Sequence, residues 1–164
     1  MKKMRIVSGG QTGVDRAALD AALATGFPCG GWCPRARRAE DGRIADHYPV
    51  EELASAGYRP RTRANVRDSQ ATLILVATSV SALSGGTRLT ASEARRLGRP
   101  LLVVDMPGPA GRHIRITEIL AWIGANDITV LNVAGPREST SPGIYDAAYG
   151  LLTDLLSALI PSRS

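Results

Sequence analysis

With 164 residues and 44% apolar side chains, the chain has the length and hydrophobic content of one domain with a two-sided core. No apolar run approaches the roughly 18 residues of a membrane span, and the basic start breaks at Ser8-Gly9-Gly10-Gln11 instead of continuing into a leader, so a cytoplasmic protein is expected. The net charge of +5, carried largely by arginines between Arg35 and Arg67 and near Arg95 to Arg99, favours a small anionic ligand. Aromatics at 4% and the lack of a stacking motif argue against nucleic acid.

Residues 4–7 read as the first strand and residues 15–25 as the first helix, stopped by Gly26 and lined with Ala17, Ala18, Ala21 and Ala22, which let it lie close to a sheet. Between them stand three glycines, two hydroxyls and an amide. Where a strand feeds a helix through glycines, bare N–H groups and the positive end of the helix dipole meet at one spot, which suits phosphate. Ser8, Gln11 and Thr12 supply donors, Gly9, Gly10 and Gly13 permit close approach, Asp15 is placed to cap the helix, and Arg16 adds a cation. A plain glycine turn with a good cap is the alternative, although a cap needs neither three glycines nor a glutamine. The loop is neither a Walker motif nor G-x-G-x-x-G, so neither ATP hydrolysis nor ordinary NAD chemistry is indicated.

Residues 27–32 form a second strand. Cys29 and Cys33 lie four apart, which is neither a C-x-x-C redox pair nor half of a zinc site, and read as two reduced thiols near a turn. Residues 34–48 make a long polar loop in which Arg35, Arg37, Arg38, Glu40, Asp41 and Arg43 either fold over an anion as a lid or stand in solvent. Residues 50–56 and 63–69 read as short helices, with Asn65, Arg67 and Asp68 able to face a site from a helix end. Residues 71–77 are an unbroken apolar run, a strand buried on both faces.

Ser84-Gly85-Gly86-Thr87 then precedes a helix over 89–97 that carries Thr90 and Glu93, and residues 101–105 are the next strand. A helix over 114–123 shows Ile116, Ile119, Leu120 and Ile123 at a 3.6-residue period. The last strand spans 128–133. Its following loop, 134–139, together with Asn132 brings Gly135, Arg137 and Glu138 forward as an amide, a guanidinium fork and a carboxylate for a phosphate or polar heterocycle, unless Arg137 and Glu138 simply pair. The closing helix, 144–160, carries leucines at 151, 152, 155, 156 and 159.

The alternation of strands and helices specifies one Rossmann-like domain over residues 1–164, a doubly wound, mostly parallel five-stranded sheet with helices on both faces. Ligands of such sheets bind beyond the carboxyl ends of the strands, where the three loops at 8–15, 84–87 and 132–139 are expected to converge. No Ser-His-Asp set is formed by His47 or His113, and no spaced cluster suggests metal ligation.

The segments SGGQTGVDRAALDAAL, GGWCPRARRAEDG, RTRANVRDSQATLI, SGGTRLT and LNVAGPREST with PGIY, in that order, resemble the putative molybdenum carrier protein family. That family is grouped with the circularly permuted branch of the Rossmann-like superfamily that includes the LONELY GUY, or lysine-decarboxylase-like, proteins, and the resemblance runs from about Val7 to Leu152. It implies a domain that self-associates as a dimer or tetramer and binds a nucleotide-like or pterin-phosphate ligand. The molybdenum cofactor (molybdopterin) is the ligand of some members, and molybdoenzymes would be the clients.

LONELY GUY enzymes cleave the ribose–base bond of nucleotides with P-G-G-x-G-T-x-x-E. Here no x-G separates the glycine pair from Thr87, and Glu93 stands six residues after it, which turns it by roughly 300° from the third position at 100° per residue. Two principal functions therefore stand: a carrier for a phosphorylated pterin or nucleotide, or a nucleoside-monophosphate hydrolase with Glu93 or Asp15 as acid/base and Arg137 as phosphate clamp. A nucleotide-signal sensor is the third. Self-association would use the leucine face of the last helix or its neighbours, unless those leucines are core.

Overall fold

The computed structural model describes residues 3–77, 83, 85–106 and 108–162. Strand β1 (Arg5–Val7) leads into helix α1 (Val14–Thr25), β2 (Cys29–Cys33), a small antiparallel hairpin of β3 (Arg38–Ala39) and β4 (Gly42–Arg43), and β5 (Val50–Glu52). Then come α2 (Tyr58–Arg67), β6 (Ala71–Val76), α3 (Gly85–Arg96), β7 (Leu101–Asp105), α4 (Arg112–Ala125), β8 (Val130–Ala134) and α5 (Ile144–Ala158).

Six strands pair in parallel in the order β5-β2-β1-β8-β6-β7. All six residues of β6 are buried, as expected of an apolar run sandwiched between helices. Helices α1, α5 and α4 pack side by side on one face of the sheet, and α2 pairs with α3 on the other. The alanines of α1 let it press onto the sheet and against α5 with Ala17, Ala18, Ala21 and Ala22 almost wholly enclosed, and Gly26 ends it in the left-handed conformation.

Two expectations are corrected. The sheet has six strands rather than five, because residues 50–52 form an edge strand and not the start of a helix over 50–56. The helix preference of Glu51 and Glu52 is overridden by pairing with β2 and by Arg37, whose Nη1 donates to the Val50 carbonyl at 3.0 Å. The second helix starts five residues before the expected Arg63, since Pro60 falls in its first turn, where the missing N–H costs nothing. Of the two readings open for the last helix, the leucines at 151, 152, 155 and 156 take the core one, so that face of α5 is not available for self-association.

The chain winds outward through β1, β2 and β5, crosses to β6 and β7, and returns to place its last strand, β8, in the gap between β1 and β6. The direction of winding therefore reverses around β8, and the carboxyl ends of β1, β8 and β6 face the resulting crevice.

Candidate functional site

A cavity of about 350 Å³ opens in that crevice. Gly9, Gln11 and Asp15 reach it from the β1–α1 loop, Gly85, Gly86, Thr87 and Thr90 from α3, and Asn132, Gly135 and Arg137 from β8 and the loop after it. Ser84 lies outside the described residues. The second glycine loop is thus the first turn of α3, four residues earlier than the expected start at 89, and lines the cavity with Gly85, Gly86 and Thr87.

The first loop is held by its own polar groups. Ser8 Oγ donates to the Asp15 carbonyl at 2.9 Å, inside the protein. Gly13 has φ of 78°, and a Cβ there would overlap the Pro136 carbonyl, so the first and third loops touch through a glycine. Arg16 turns away from the cavity: its Nε donates to the Gly10 carbonyl at 3.1 Å and its two terminal nitrogens bind Asp41 at 2.9 and 3.1 Å. Thr12 donates to Glu40 and accepts from the Glu138 amide at 3.1 Å, outside the cavity lining.

Asp15 caps nothing; the α1 N-terminus has no side-chain cap. Its carboxylate is buried and paired with Arg61 Nη1 at 2.6 Å. Burial pushes its acidity weaker than that of an ordinary aspartate, against the opposing pull of Arg61. Arg61 crosses directly over Gly9, where a Cβ would collide with the guanidinium.

In the third loop Arg137 lies 3.8 Å from Glu40 and over the Tyr58 ring, 5.2 Å from its centroid. Glu138 is not its partner. Its carboxylate accepts from the Gly143 amide at 2.5 Å and the Tyr145 amide at 3.0 Å, satisfying the start of α5 and leaving the cavity lining. Glu93 is likewise outside that lining and is bound to Arg96 at 2.6 Å, a hydrogen bond that holds its carboxyl below the ordinary range.

Glu40 ties the arginine-rich segment to the site. It accepts from Thr12 and from both the amide and hydroxyl of Ser139, while its own amide donates to Gln11 Oε1 at 2.9 Å. Arg37 fixes the base of the same segment, with Nε on the Ile44 carbonyl and the other nitrogens on those of Val50, Ala45 and Tyr48. Ile44 is fully buried under Gly10. Residues 34–48 thus form a strap packed behind the first loop.

Burial alone would raise the Glu40 carboxyl, but the hydrogen bonds from Ser139 and Thr12, helped by Arg137, hold it below a glutamate's ordinary 4.5; the hydrogen bond from Arg16 likewise lowers Asp41 below 3.8. Carboxyls depressed in the folded state lend stability present above their unfolded values and lost as pH falls through the folded ones. Asp15, raised, acts in the opposite sense. Melting followed by circular dichroism at fixed ionic strength is expected to show a fall in Tm on acidification below about pH 4.5. Glu40→Gln is expected to flatten that fall.

Sequence reasoning did not place Arg61, Thr62, Thr140 or Ser141 at the cavity, all of which line it. The signal for the α2 pair was a helix with polar residues at three of its buried positions, 61, 62 and 65, beside apolar Ala64 and Val66. Asn65 reaches the cavity too, though its amide clasps Trp32, accepting from the backbone N–H at 2.7 Å and donating to the carbonyl at 3.0 Å. Arg67 and Asp68 pair with each other in solvent. Cys29 and Cys33 are buried free thiols on β2, both pushed up in pKa by that burial. Among the described residues no group of three metal-ligating side chains exists and no helix is long and apolar enough to cross a membrane.

Residues 6–156 match the model of the circularly permutated YpsA SLOG family. A crystal structure of a putative molybdenum carrier protein from Syntrophus aciditrophicus SB superposes with a TM-score of 0.86 at 39% identity, covering 94% of this chain and 95% of that one. No curated protein matches the chain. The permutation agrees with the strand order: moving β8 and α5 to the front of the chain would make the central strand the first.

Proposed function

The chain belongs to the circularly permutated YpsA SLOG family, and from that premise we propose that its cavity carries a phosphorylated pterin or nucleotide-like ligand, the molybdenum cofactor being one such cargo. The 39% identical neighbour is described as a molybdenum carrier, which supports the pterin. The observation that carries the proposal is the meeting of two glycine-bearing loops and the glycine-rich first turn of α3 at one cavity, whose volume lies within the range of small-ligand sites.

Gly85 and Gly86 add to it. Among the described residues, nothing lies within 4 Å of a Cβ built on either one. Gly85 holds φ of 52°, which by itself favours glycine, whereas at Gly86 neither a positive φ nor packing by those residues demands it, which leaves room there for a guest. Carriage is favoured over bond cleavage here by the pairing of both candidate carboxylates, Asp15 with Arg61 and Glu93 with Arg96. Association of copies and delivery to molybdoenzymes belong to the same proposal and await light scattering and pull-down with a defined client.

Native mass spectrometry of the protein purified from cells with and without an intact pterin-cofactor pathway is the direct test, with a bound phosphorylated pterin or nucleotide expected. An apo protein from both sources that takes up neither class in titration would overturn the proposal. Gly86→Ala separates ligand from fold. Alanine in a helix is favoured over glycine by about 0.5–1 kcal/mol, so Tm should rise by roughly 1–4 °C. Affinity for the ligand should fall at least about tenfold, because the new methyl occupies the guest's side of the turn.

A further inference from the structure

We propose that Gln11 and Arg61 form an anchor for a tetrahedral oxyanion, which is either the phosphate of the ligand proposed above or a free oxyanion of the same shape. The inference rests on the binding reading of the cavity and assigns its polar end to one side chain of the first glycine loop and one of α2.

The orientation of the Gln11 amide is fixed by the backbone. Oε1 accepts from the Thr12 N–H at 3.0 Å and the Glu40 N–H at 2.9 Å, and turning the amide over would set its NH₂ against two donors. Nε2 therefore has no freedom to look elsewhere, and it has no partner. Arg61 is constrained in the same way. Its Nη1 is committed to Asp15 at 2.6 Å, and its Nε is buried without a partner. Of the three buried side-chain atoms left without a hydrogen bond among the described residues, two belong to these side chains, and both side chains line the same cavity. Leaving a buried donor unmade costs more than an average hydrogen bond contributes, so two in one wall call for a common acceptor.

The remaining groups narrow that acceptor. Two of the nearby acceptors are already used, Asp15 Oδ2 by Arg61 and Gln11 Oε1 by two backbone amides. What the wall offers is donors, from the β1–α1 loop, from α2 and from the first turn of α3. Donors on three separate elements suit an acceptor with oxygens in several directions, as in phosphate, sulfate or molybdate, better than a planar carboxylate. Asp15 offsets the charge of Arg61, and Glu40 lies beside Arg137, so the anchor works through directed hydrogen bonds more than through net charge. Its affinity should depend only modestly on salt.

The test is titration calorimetry of the wild-type protein with inorganic phosphate, molybdate, adenosine monophosphate and adenosine, with Tm recorded for every variant. Gln11→Glu keeps the acceptor for Thr12 and Glu40 and replaces the unpartnered donor with an oxygen. Arg61→Lys keeps the cation beside Asp15 and removes Nε. Phosphate is expected to bind and to compete with the nucleotide, and both variants are expected to weaken phosphate by at least about tenfold. Should Gln11→Glu fail to fold, Arg61→Lys carries the comparison. Unchanged phosphate affinity in a folded variant overturns the anchor. A nucleotide that binds without phosphate competing also overturns it while leaving the carrier proposal standing; the carrier proposal falls on its own test, when neither pterin nor nucleotide binds.

Discussion

Arg61→Ala is expected to destabilise the fold by about 3–5 kcal/mol, because it leaves the Asp15 carboxylate buried with no counter-charge. The two side chains are 10% and 8% exposed, so solvent cannot substitute for the lost guanidinium. For a chain of this length the loss corresponds to a drop in Tm of roughly 10 °C. The deficit has a pH signature. Burial already raises the Asp15 pKa above 3.8, and removing Arg61 takes away the interaction that opposes it. An acid whose folded pKa is raised contributes stability in full below its unfolded pKa and loses it as pH rises through the folded one. The variant should therefore approach the wild type on acidification, in urea titrations run between pH 7 and pH 4. Replacing both partners, Asp15→Leu with Arg61→Met, should recover most of the stability and none of the ligand affinity. A large deficit in Arg61→Ala that does not change with pH would disprove the buried-charge account.

Arg37→Ala is expected to cost about 3 kcal/mol and to release the strap over residues 38–48. One guanidinium serves four carbonyls, those of Ile44, Ala45, Tyr48 and Val50, at 2.7 to 3.0 Å. Ala36 and Arg37 both have positive φ, at 66° and 53°, a conformation that non-glycine residues hold only when their surroundings fix it. With the guanidinium gone, four carbonyls lose their donor and that backbone has nothing to hold it. Hydrogen exchange should quicken in residues 38–48 and at β5, and limited proteolysis should cut there first. Ligand affinity should fall as well, since the Glu40 amide that orients Gln11 belongs to this strap. Lysine is no substitute, having one nitrogen where four bonds radiate from a planar fork.

The inner strand β6 was legible because a doubly covered parallel strand is written as an apolar run, and β7, at the sheet edge and half-buried, also lies where residues 101–105 suggested. The short edge strand β5 was not legible, because its pairing partner and the arginine that holds its carbonyl lie elsewhere in the chain. In the candidate site, glycine loops announced themselves through composition, and Gly9, Gln11, Gly85, Gly86, Thr87, Asn132, Gly135 and Arg137 do reach the cavity. Arg61 and Thr62 were hidden because α2 turns polar residues inward, so hydrophobic periodicity pointed nowhere. Arg16, Thr12 and Glu138 show the converse: a polar residue in a loop is as readily spent on holding the loop as on meeting a ligand.

The position of β8 bears on biosynthesis. The strand that joins the two halves of the sheet is the last to leave the ribosome, so β1-β2-β5 and β6-β7 must wait as separate pieces, each with an open edge where β8 will dock. A nascent chain stopped short of residue 130 would present two unzipped flanks to chaperones and to its neighbours, and aggregation of such fragments is the hazard this order of synthesis carries.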